Sequence, residues 1–340
     1  MRRTLFAPAL SLLLVVLGVT AGAQTPPGAA TGRPPQTSTG LRVNVPLPAS
    51  DAVLRADLKK LLTEAVPHAL ASDPAKLAQV NADIEQFKTR TGIDARDFDT
   101  VTVGARIVQL PSGAMKVTNA VAIARGTFRP DTVISAARAA AKGGFSEQKY
   151  GGLSVYVINV NDKIKVFGLA KMHVTDLALA VLDQTTLAVG EPAAVRGAID
   201  AMGGRGRVDQ ALLNAVQTPD LVAFAGSVPP GAFAGLETGL PNVDRAVASI
   251  RAFHGAVAQT PAGFLLTTVL RTQTASDAKQ LFDTAQALRQ VAPGLISMAG
   301  EKGKFAQRAI NNLKLTTKGD EVQLQLDMPQ GDIAELLRVL

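Results

Sequence analysis

The sequence predicts an α+β protein with two similar lobes of mainly antiparallel sheet and helices packed on one face of each sheet. Three observations support this prediction. Apolar residues alternate with a two-residue period in several stretches, and short turns rich in Gly, Pro, Asn or Asp join these stretches. Stretches with helical spacing lie between the resulting hairpins. The order hairpin, helix, hairpin, helix occurs in both halves of the chain, which predicts an internal duplication.

Length and composition narrow the possible functions. The chain of 340 residues exceeds the usual size of one domain, and its 47% hydrophobic and 19% charged residues are typical of a globular protein. It contains no Cys, which excludes disulfides and thiolate metal sites. The low aromatic content of 4% disfavours stacking surfaces for sugars. A net charge of +7 without a dense basic run predicts no nucleic-acid partner.

The N-terminus has the pattern of a secretory signal peptide. Arg2 and Arg3 precede an apolar stretch at 9–19, and Ala21-Gly22-Ala23 fits the small-residue cleavage rule. We therefore expect residues 1–23 to be removed and the mature protein to be periplasmic or extracellular. An uncleaved membrane anchor is the alternative, but the apolar stretch is shorter than a usual span. No later stretch is long and apolar enough, so the mature chain is predicted to lack a transmembrane segment.

Residues 24–49 are predicted to be a flexible tether, because they are rich in Pro, Gly and Thr and poor in large apolar residues. The first lobe is predicted to span 50–204. It begins with a helix, in which Leu54, Leu58 and Ala65 share one face, that ends at Pro67. A second helix is expected between Asp73-Pro74 and Gly92. The later elements of this lobe are predicted as strands 98–110 and 114–125, helix 130–142, a strand 153–160 that continues to 167 after a turn at 161–162, strands 176–182 and 185–189, and a helix from 192 to 203.

The run Gly203 to Arg207 is predicted to link the two lobes. It is not a phosphate-binding loop, because Asp209 stands where the third glycine belongs. The second lobe is predicted to span 205–340. Its elements are predicted as helix 209–217, strand 221–228, a Pro- and Gly-rich loop 229–241, a stretch 246–259 that is helix or strand, strand 264–272, a helix ended by Pro293-Gly294, strands 312–317 and 321–328, and a final helix carrying Ile333, Leu336, Leu337 and Leu340.

This layout resembles uncharacterised secreted or periplasmic bacterial proteins built from repeated hairpin-helix units. The resemblance covers Ser50 to Leu340 and is one of pattern, namely a signal peptide followed by hairpins and helices with many Ala and Val residues. It implies no functional residues.

Motifs for catalysis are incomplete, so we predict no catalytic residue and no cofactor. His68, His173 and His254 fall in separate elements without the i, i+4 spacing of a helical zinc site. Ser146 and Ser154 have only part of the Gly-x-Ser-x-Gly pattern. Ser276 and Lys279 match Ser-x-x-Lys, but the partner motifs of penicillin-recognising enzymes are missing, so Ser276 is predicted to cap a helix.

Two acidic or amide-rich loops are candidate calcium sites. One contains Asp94, Asp97 and Asp99, and the other contains the run 159–162 with two Asn residues and one Asp. Neither has the terminal Glu of a calcium-binding loop. We predict turn roles for both, with calcium as the alternative, and we predict no metal site.

These observations favour a secreted, non-enzymatic binding or scaffolding protein of the bacterial envelope, whose partner is a protein or an envelope component. A periplasmic carrier of a lipid or another hydrophobic molecule is the alternative. A hydrolase with an unrecognised site is a third hypothesis. Phe233 and Leu236, in the Pro- and Gly-rich loop, are the predicted ligand-binding residues, because this loop is long enough to cover an apolar face. An ordinary connecting loop is the other interpretation.

Overall fold

The computed structural model describes most of the chain between Val45 and Ile333. The described residues are 45–109, 115–141, 144–166, 170–229, 232–233, 241–296 and 301–333, with backbone alone at 115, 140, 160–166, 170–175, 291–296 and 301–306. These ranges do not include the predicted signal peptide with its cleavage site after Ala23, most of the predicted tether, or residues 334–340 of the predicted final helix. No helix in the described ranges has both the length and the apolar character of a membrane span.

The described strands form one twelve-stranded antiparallel sheet. In chain order they are β1 (Ala52–Asp57), β2 (Phe98–Gln109), β3 (Met115–Gly126), β4 (Phe145–Tyr150), β5 (Leu153–Val166), β6 (Ala170–Asp183), β7 (Thr186–Gly190), β8 (Val222–Ser227), β9 (Ile250–Thr260), β10 (Gly263–Thr272), β11 (Leu313–Lys318) and β12 (Glu321–Pro329). Their order across the sheet is β11-β12-β10-β9-β8-β1-β2-β3-β7-β6-β5-β4. The α+β class is therefore confirmed.

Strand β1 joins the two predicted lobes into this single sheet. It pairs antiparallel with β2 on one side and with β8 on the other, so that Leu54 lies opposite both Val103 and Phe224. Because both of its edges are paired and its apolar residues are buried, β1 is a central strand.

Helices connect the strands. They are α1 (Leu58–Lys60), a π-helical turn (Leu61–Ala65), α2 (Val66–Ala69), α3 (Pro74–Thr91), α4 (Pro130–Ala140), α5 (Pro192–Met202), α6 (Gln210–Val216), α7 (Pro241–Ala248), α8 (Ala275–Ile296) and α9 (Glu301–Asn312). A short 3₁₀ turn, Ala95–Asp97, precedes β2. The caps of α3 agree with the sequence prediction, because Asp73 Oδ1 accepts from the Lys76 amide at 3.1 Å and Gly92 has a φ of 71°.

The helices cover both faces of the sheet, so the prediction that they pack on one face is wrong. Val53 faces a core cluster that includes α5 and α6, whereas the next residue, Leu54, faces a cluster that includes α1 and α4. The strand register places the cluster under α7 and α8 on the same side as Leu54. The physical reason is that consecutive residues of β3, such as Ala122 and Ile123, are apolar and buried on opposite faces, and each face requires a covering layer.

Three predictions near the start of the fold are also wrong. Residues 52–57, part of the helix predicted from Ser50, belong to β1, because pairing on both edges outweighs the helical spacing of the leucines. Pro67 does not end the helix but lies inside α2. The predicted tether 24–49 extends too far, since Leu47 is fully buried and belongs to the core cluster that includes α5 and α6.

In the second half, the ambiguous stretch 246–259 divides into the end of α7 and most of β9. Helix α8 continues through Pro293 to Ile296, although the sequence predicted that it would end there. A proline inside a helix removes one hydrogen bond and kinks the helix without necessarily ending it. Strand β4 and helix α9 were not predicted from the sequence.

Candidate hydrophobic ligand site

An apolar cavity of about 220 Å³ lies between the helical segment 61–69 and the half of the sheet that begins at β8. All of its lining residues are apolar: Leu61, Ala65, Val66, Ala69, Leu221, Val222, Val257, Phe264, Met328 and Ile333. The cavity is partly open to solvent, and its lining offers no polar side chain to a molecule within it. The cavity is therefore suited to an uncharged, mainly hydrocarbon molecule.

The helical wall of the cavity contains the π-helical turn. The Val66 amide donates to the Leu61 carbonyl, five residues earlier, which widens the turn. Pro67 provides a reason for this geometry, because its ring crowds the carbonyl four residues earlier and it has no amide hydrogen to donate. Turns of this kind are uncommon and often occur at functional sites. Both ends of the turn, Leu61 and Ala65, line the cavity.

The sheet wall consists of side chains on one face of four adjacent strands. Val222 on β8 lies opposite Val257 on β9, and Phe264 on β10 lies opposite Met328 on β12. Phe264 is only 7% exposed. Because neighbouring strands in an antiparallel sheet place opposite residues on the same face, this wall is fixed by the strand register.

The third wall is the helical turn 330–333 that follows β12. The Gln330 amide donates to the Ala262 carbonyl at 3.1 Å, and its side-chain amide donates to the main-chain carbonyl of His68. The buried Asp332 accepts a hydrogen bond of 2.6 Å from Arg308 Nε on α9. These contacts hold Ile333 against the cavity and connect the turn to α2.

One polar group lies beside this apolar lining. The imidazole ring of His68 packs edge-on against Phe264, with ring centroids 5.8 Å apart and an interplanar angle of 64°. Its Nε2 atom is buried and has no hydrogen-bond partner among the described residues. Buried polar atoms in folded proteins rarely lack a hydrogen-bond partner, so this nitrogen is an exception among the described residues.

The ligand-binding residues predicted from the sequence lie elsewhere. Phe233 packs against the cluster of α7 and α8 that includes Val247 and Leu281, and it does not line the cavity. Leu236 lies outside the described residues. A role for either residue in ligand binding stays a prediction.

The histidines are separated in the structure. His68 lies on α2, whereas His254 on β9 lies opposite Ala225 and points to the other face of the sheet. Desolvation, opposed by Glu321 and aided by Arg271, lowers the pKa of His254. The side chain of His173 lies outside the described part of the chain. The hydrolase hypothesis, which needs a Ser or Asp with a His or Lys within hydrogen-bond reach in one cleft, stays a prediction.

The structure brings Ser154 close to Lys149 and Glu147 on the edge hairpin. Lys149 Nζ donates to Ser154 Oγ at 2.6 Å, and Ser154 Oγ donates to Glu147 Oε1 at 2.6 Å. The hydrogen bonds from Ser154 and Lys149 lower the pKa of the Glu147 carboxyl. A carboxylate with a lowered pKa is a poor general base toward the serine.

The Ser-x-x-Lys match at the start of α8 also has a structural explanation. Thr274 Oγ1 accepts from the Asp277 amide at 3.1 Å, so Thr274 is the N-cap and the prediction for Ser276 is wrong. Lys279 Nζ binds Asp283 at 2.8 Å, one helical turn further along. The lysine therefore forms a surface ion pair.

Side chains of the acidic loop 94–99 form hydrogen bonds and ion pairs with neighbouring residues. Asp94 accepts from the Arg96 amide at 3.0 Å and pairs with Lys88 at 2.9 Å, while Asp99 lies 3.8 Å from Lys59. Within the described ranges, no group of three His, Asp or Glu side chains is arranged to hold a metal ion.

The sequence analysis did not predict the cavity. The i, i+4 spacing of Leu61, Ala65 and Ala69 across Pro67 was the pattern that could have indicated its helical wall.

Comparison with known proteins gives little information. No protein-family model and no curated protein matches the sequence. Among solved structures, crystal form III of TP0453 has a TM-score of 0.47 and 11% identity, covering 88% of this chain and 99% of that chain. Crystal form I has a TM-score of 0.42 and 9% identity, covering 88% and 98%. Crystal form IV has a TM-score of 0.42 and 10% identity, covering 87% and 95%. Similarity at this level supports no inference about function.

Proposed function

We propose that this is a non-enzymatic binding protein of the bacterial envelope, and that it holds a small hydrophobic molecule in the cavity between segment 61–69 and strands β8 to β12. The single observation that carries the proposal is the wholly apolar lining of a cavity of about 220 Å³. The signal-peptide pattern at 1–23 supports a location in the periplasm or outside the cell. A scaffolding role toward a protein partner is the second candidate, but no feature of the cavity favours it.

The size of the cavity indicates the size of the ligand. An engineered apolar cavity of about 150 Å³ accepts benzene, so a cavity of about 220 Å³ suits a body of roughly eight to ten carbon atoms. The favourable contribution to the binding free energy comes from the transfer of apolar surface out of water, about 25 cal/mol for each Å² removed. A whole phospholipid is too large for it, so a lipid ligand would place only part of one chain there.

Naphthalene is a suitable first probe, because it is apolar, fluorescent and has ten carbon atoms. We expect the mature chain to bind it, and we expect Ala65→Leu to weaken binding at least tenfold by filling the cavity. Ala82→Leu, at an exposed position of α3, is the matched control and should bind as the unchanged protein does. Thermal unfolding of each variant shows whether it is folded, and Ala69→Val provides a smaller filling change if Ala65→Leu is unstable. Equal binding by Ala65→Leu and the unchanged protein would reject the cavity as the site.

We also infer that the two halves of the sheet are diverged copies. Outward from the central β1–β8 pair, the order β1-β2-β3-β7-β6 in the first half corresponds to β8-β9-β10-β12-β11 in the second. In both halves, a hairpin is followed by helix and then by a second hairpin. Aligning the halves in homologous sequences tests the inference. A shared pattern of buried positions is expected in equivalent strands, and unrelated patterns would count against duplication.

A further inference from the structure

We propose that Pro67 sets the shape of the apolar cavity, and with it the molecules that the cavity accepts, although Pro67 does not line the cavity itself. Pro67 acts as a positioning residue. It holds residues 61–65 in a π-helical turn, and this turn places Val66 in the cavity wall. The inference rests on the proposed function, since it concerns the same cavity, and it extends that function by identifying what sets the ligand preference.

The π-helical turn changes which side chains share one face of the segment. In an α-helix, five residues turn through about 500°, so Val66 would lie about 140° around the axis from Leu61. Here the Val66 amide donates to the Leu61 carbonyl, and a hydrogen bond across five residues brings Val66 nearly above Leu61. Both side chains line the cavity, together with Ala65 and Ala69. The turn therefore adds Val66 to a wall that an α-helix would build from the other three residues.

The residues of the turn give no local reason for its geometry. They are Leu61-Leu62-Thr63-Glu64-Ala65, without Gly, and Leu, Glu and Ala are among the best α-helix formers. Pro67 provides the reason, because it has no amide hydrogen to donate to the Thr63 carbonyl and its ring would crowd that oxygen in an α-helix. A wider turn relieves this crowding. The π geometry is therefore a consequence of Pro67 and not of the residues that adopt it.

Contacts at both ends hold the segment in place. At its start, Asp57 Oδ1 accepts from the Lys60 amide at 2.9 Å. At its end, Leu70 is fully buried and the Gln330 side chain donates to the His68 carbonyl. Because both ends are held, the choice between π and α geometry affects the residues between them, and Val66 is the one that would leave the wall.

The exchange Pro67→Ala tests this role. It restores an amide hydrogen at position 67 and allows residues 61–65 to form an α-helix. We expect the affinity for naphthalene to fall about fivefold, the factor for losing contact with part of a valine side chain. In urea denaturation the variant should be at least as stable as the unchanged protein, because Ala favours a helix and the Thr63 carbonyl gains a donor. Weaker binding without a loss of stability distinguishes positioning from a merely structural role.

Two further variants complete the experiment. Val66→Ala removes the side chain that the turn places in the wall, and it should also weaken naphthalene binding about fivefold. Because Pro67 acts through Val66, the double variant should lose no more affinity than either single variant. Pro74→Ala makes the same exchange at an exposed position of α3 and should bind naphthalene as the unchanged protein does. A crystal structure of Pro67→Ala should show the Val66 amide donating to the Leu62 carbonyl, as in an α-helix.

The outcomes separate the two proposals. If naphthalene does not bind the unchanged protein, or if Ala65→Leu binds it normally, the proposed function fails. If both results support the cavity but Pro67→Ala binds naphthalene as before, is less stable than the unchanged protein, or keeps the π-helical turn, only the inference about Pro67 fails. Fully additive losses of affinity for Pro67→Ala and Val66→Ala would also overturn it.

Discussion

The side-chain amide of Gln330 donates a hydrogen bond to the main-chain carbonyl of His68, across a sequence separation of 262 residues. It ties the turn after the last described strand to the helix that follows the first. Since Ile333 on that turn and Ala69 on that helix both line the cavity, this contact helps to hold two of its walls together.

Replacing Gln330 with Ala should lower the free energy of unfolding by about 1 kcal/mol, because the hydrogen bond to the His68 carbonyl is lost. Urea denaturation followed by circular dichroism measures the change. Gln290→Ala, at an exposed position of α8, is the control and should stay close to the unchanged protein. Equal stabilities of the two variants would mean that the contact contributes nothing.

Replacing Asp73 with Ala should lower the free energy of unfolding by about 1 kcal/mol, because the Lys76 amide at the start of α3 loses its capping carboxylate. Asp83→Ala removes the same charge from an exposed position of the same helix and should have a much smaller effect. Thermal unfolding of both variants distinguishes capping from charge. A similar loss in both would show that capping is not the cause.

Replacing Asp94 with Asn should make stability less dependent on pH. Partial burial alone raises the pKa of Asp94, but the hydrogen bonds from the Arg96 amide and from Lys88, with the attraction of both cations, hold it below the ordinary value of 3.8. A lowered carboxyl pKa in the folded state stabilises the fold above the unfolded-state pKa, and this contribution is lost as pH falls through the folded-state pKa.

Asp94→Asn should therefore be less stable than the unchanged protein at pH 7, by about 1 kcal/mol, and the difference should shrink as pH falls through the folded-state pKa of Asp94. Urea denaturation at a series of pH values measures both effects. Asp99→Asn, at a carboxylate whose side chain is 58% exposed, controls for the loss of one negative charge. If the difference in the free energy of unfolding between Asp94→Asn and the unchanged protein were the same at every pH, ionisation of the Asp94 carboxyl would not be its cause.

Tyr150 should titrate above its ordinary pKa of 10.0. Its hydroxyl donates to Asp200 Oδ2 at 2.7 Å, and this hydrogen bond, followed by desolvation and the negative charge of Asp200, raises the pKa. The chain has two Tyr and no Trp, so Tyr156→Phe leaves Tyr150 as its only phenol. Ultraviolet titration of that variant measures its pKa directly.

Adding Asp200→Asn to Tyr156→Phe should move this titration back toward 10.0, because the carboxylate acceptor is lost. Asp83→Asn in the same background is the control, and circular dichroism at each pH verifies that the fold persists. An unchanged titration after the loss of Asp200 would contradict the assigned cause.

Features that depend on local chemistry could be predicted from the amino-acid sequence. Asp73 and Gly92 limit helix α3 because a cap needs a side-chain acceptor at one end and a left-handed residue at the other. The alternating apolar residues and short turns likewise identified hairpins β2–β3, β6–β7 and β11–β12, because a hairpin depends on nearby residues. The α+β class follows from these elements.

Only the tertiary structure decided the features that depend on distant residues. Residues 54–57 have helical spacing but form a strand, because β2 and β8 supply partners for both edges. The helices lie on both faces because the central strands are apolar on both. The cavity combines Ala65, Phe264 and Ile333, which lie far apart in the chain. No local pattern connects residues so far apart in the chain, because the strand order and register that bring them together are set by the packing of the whole sheet.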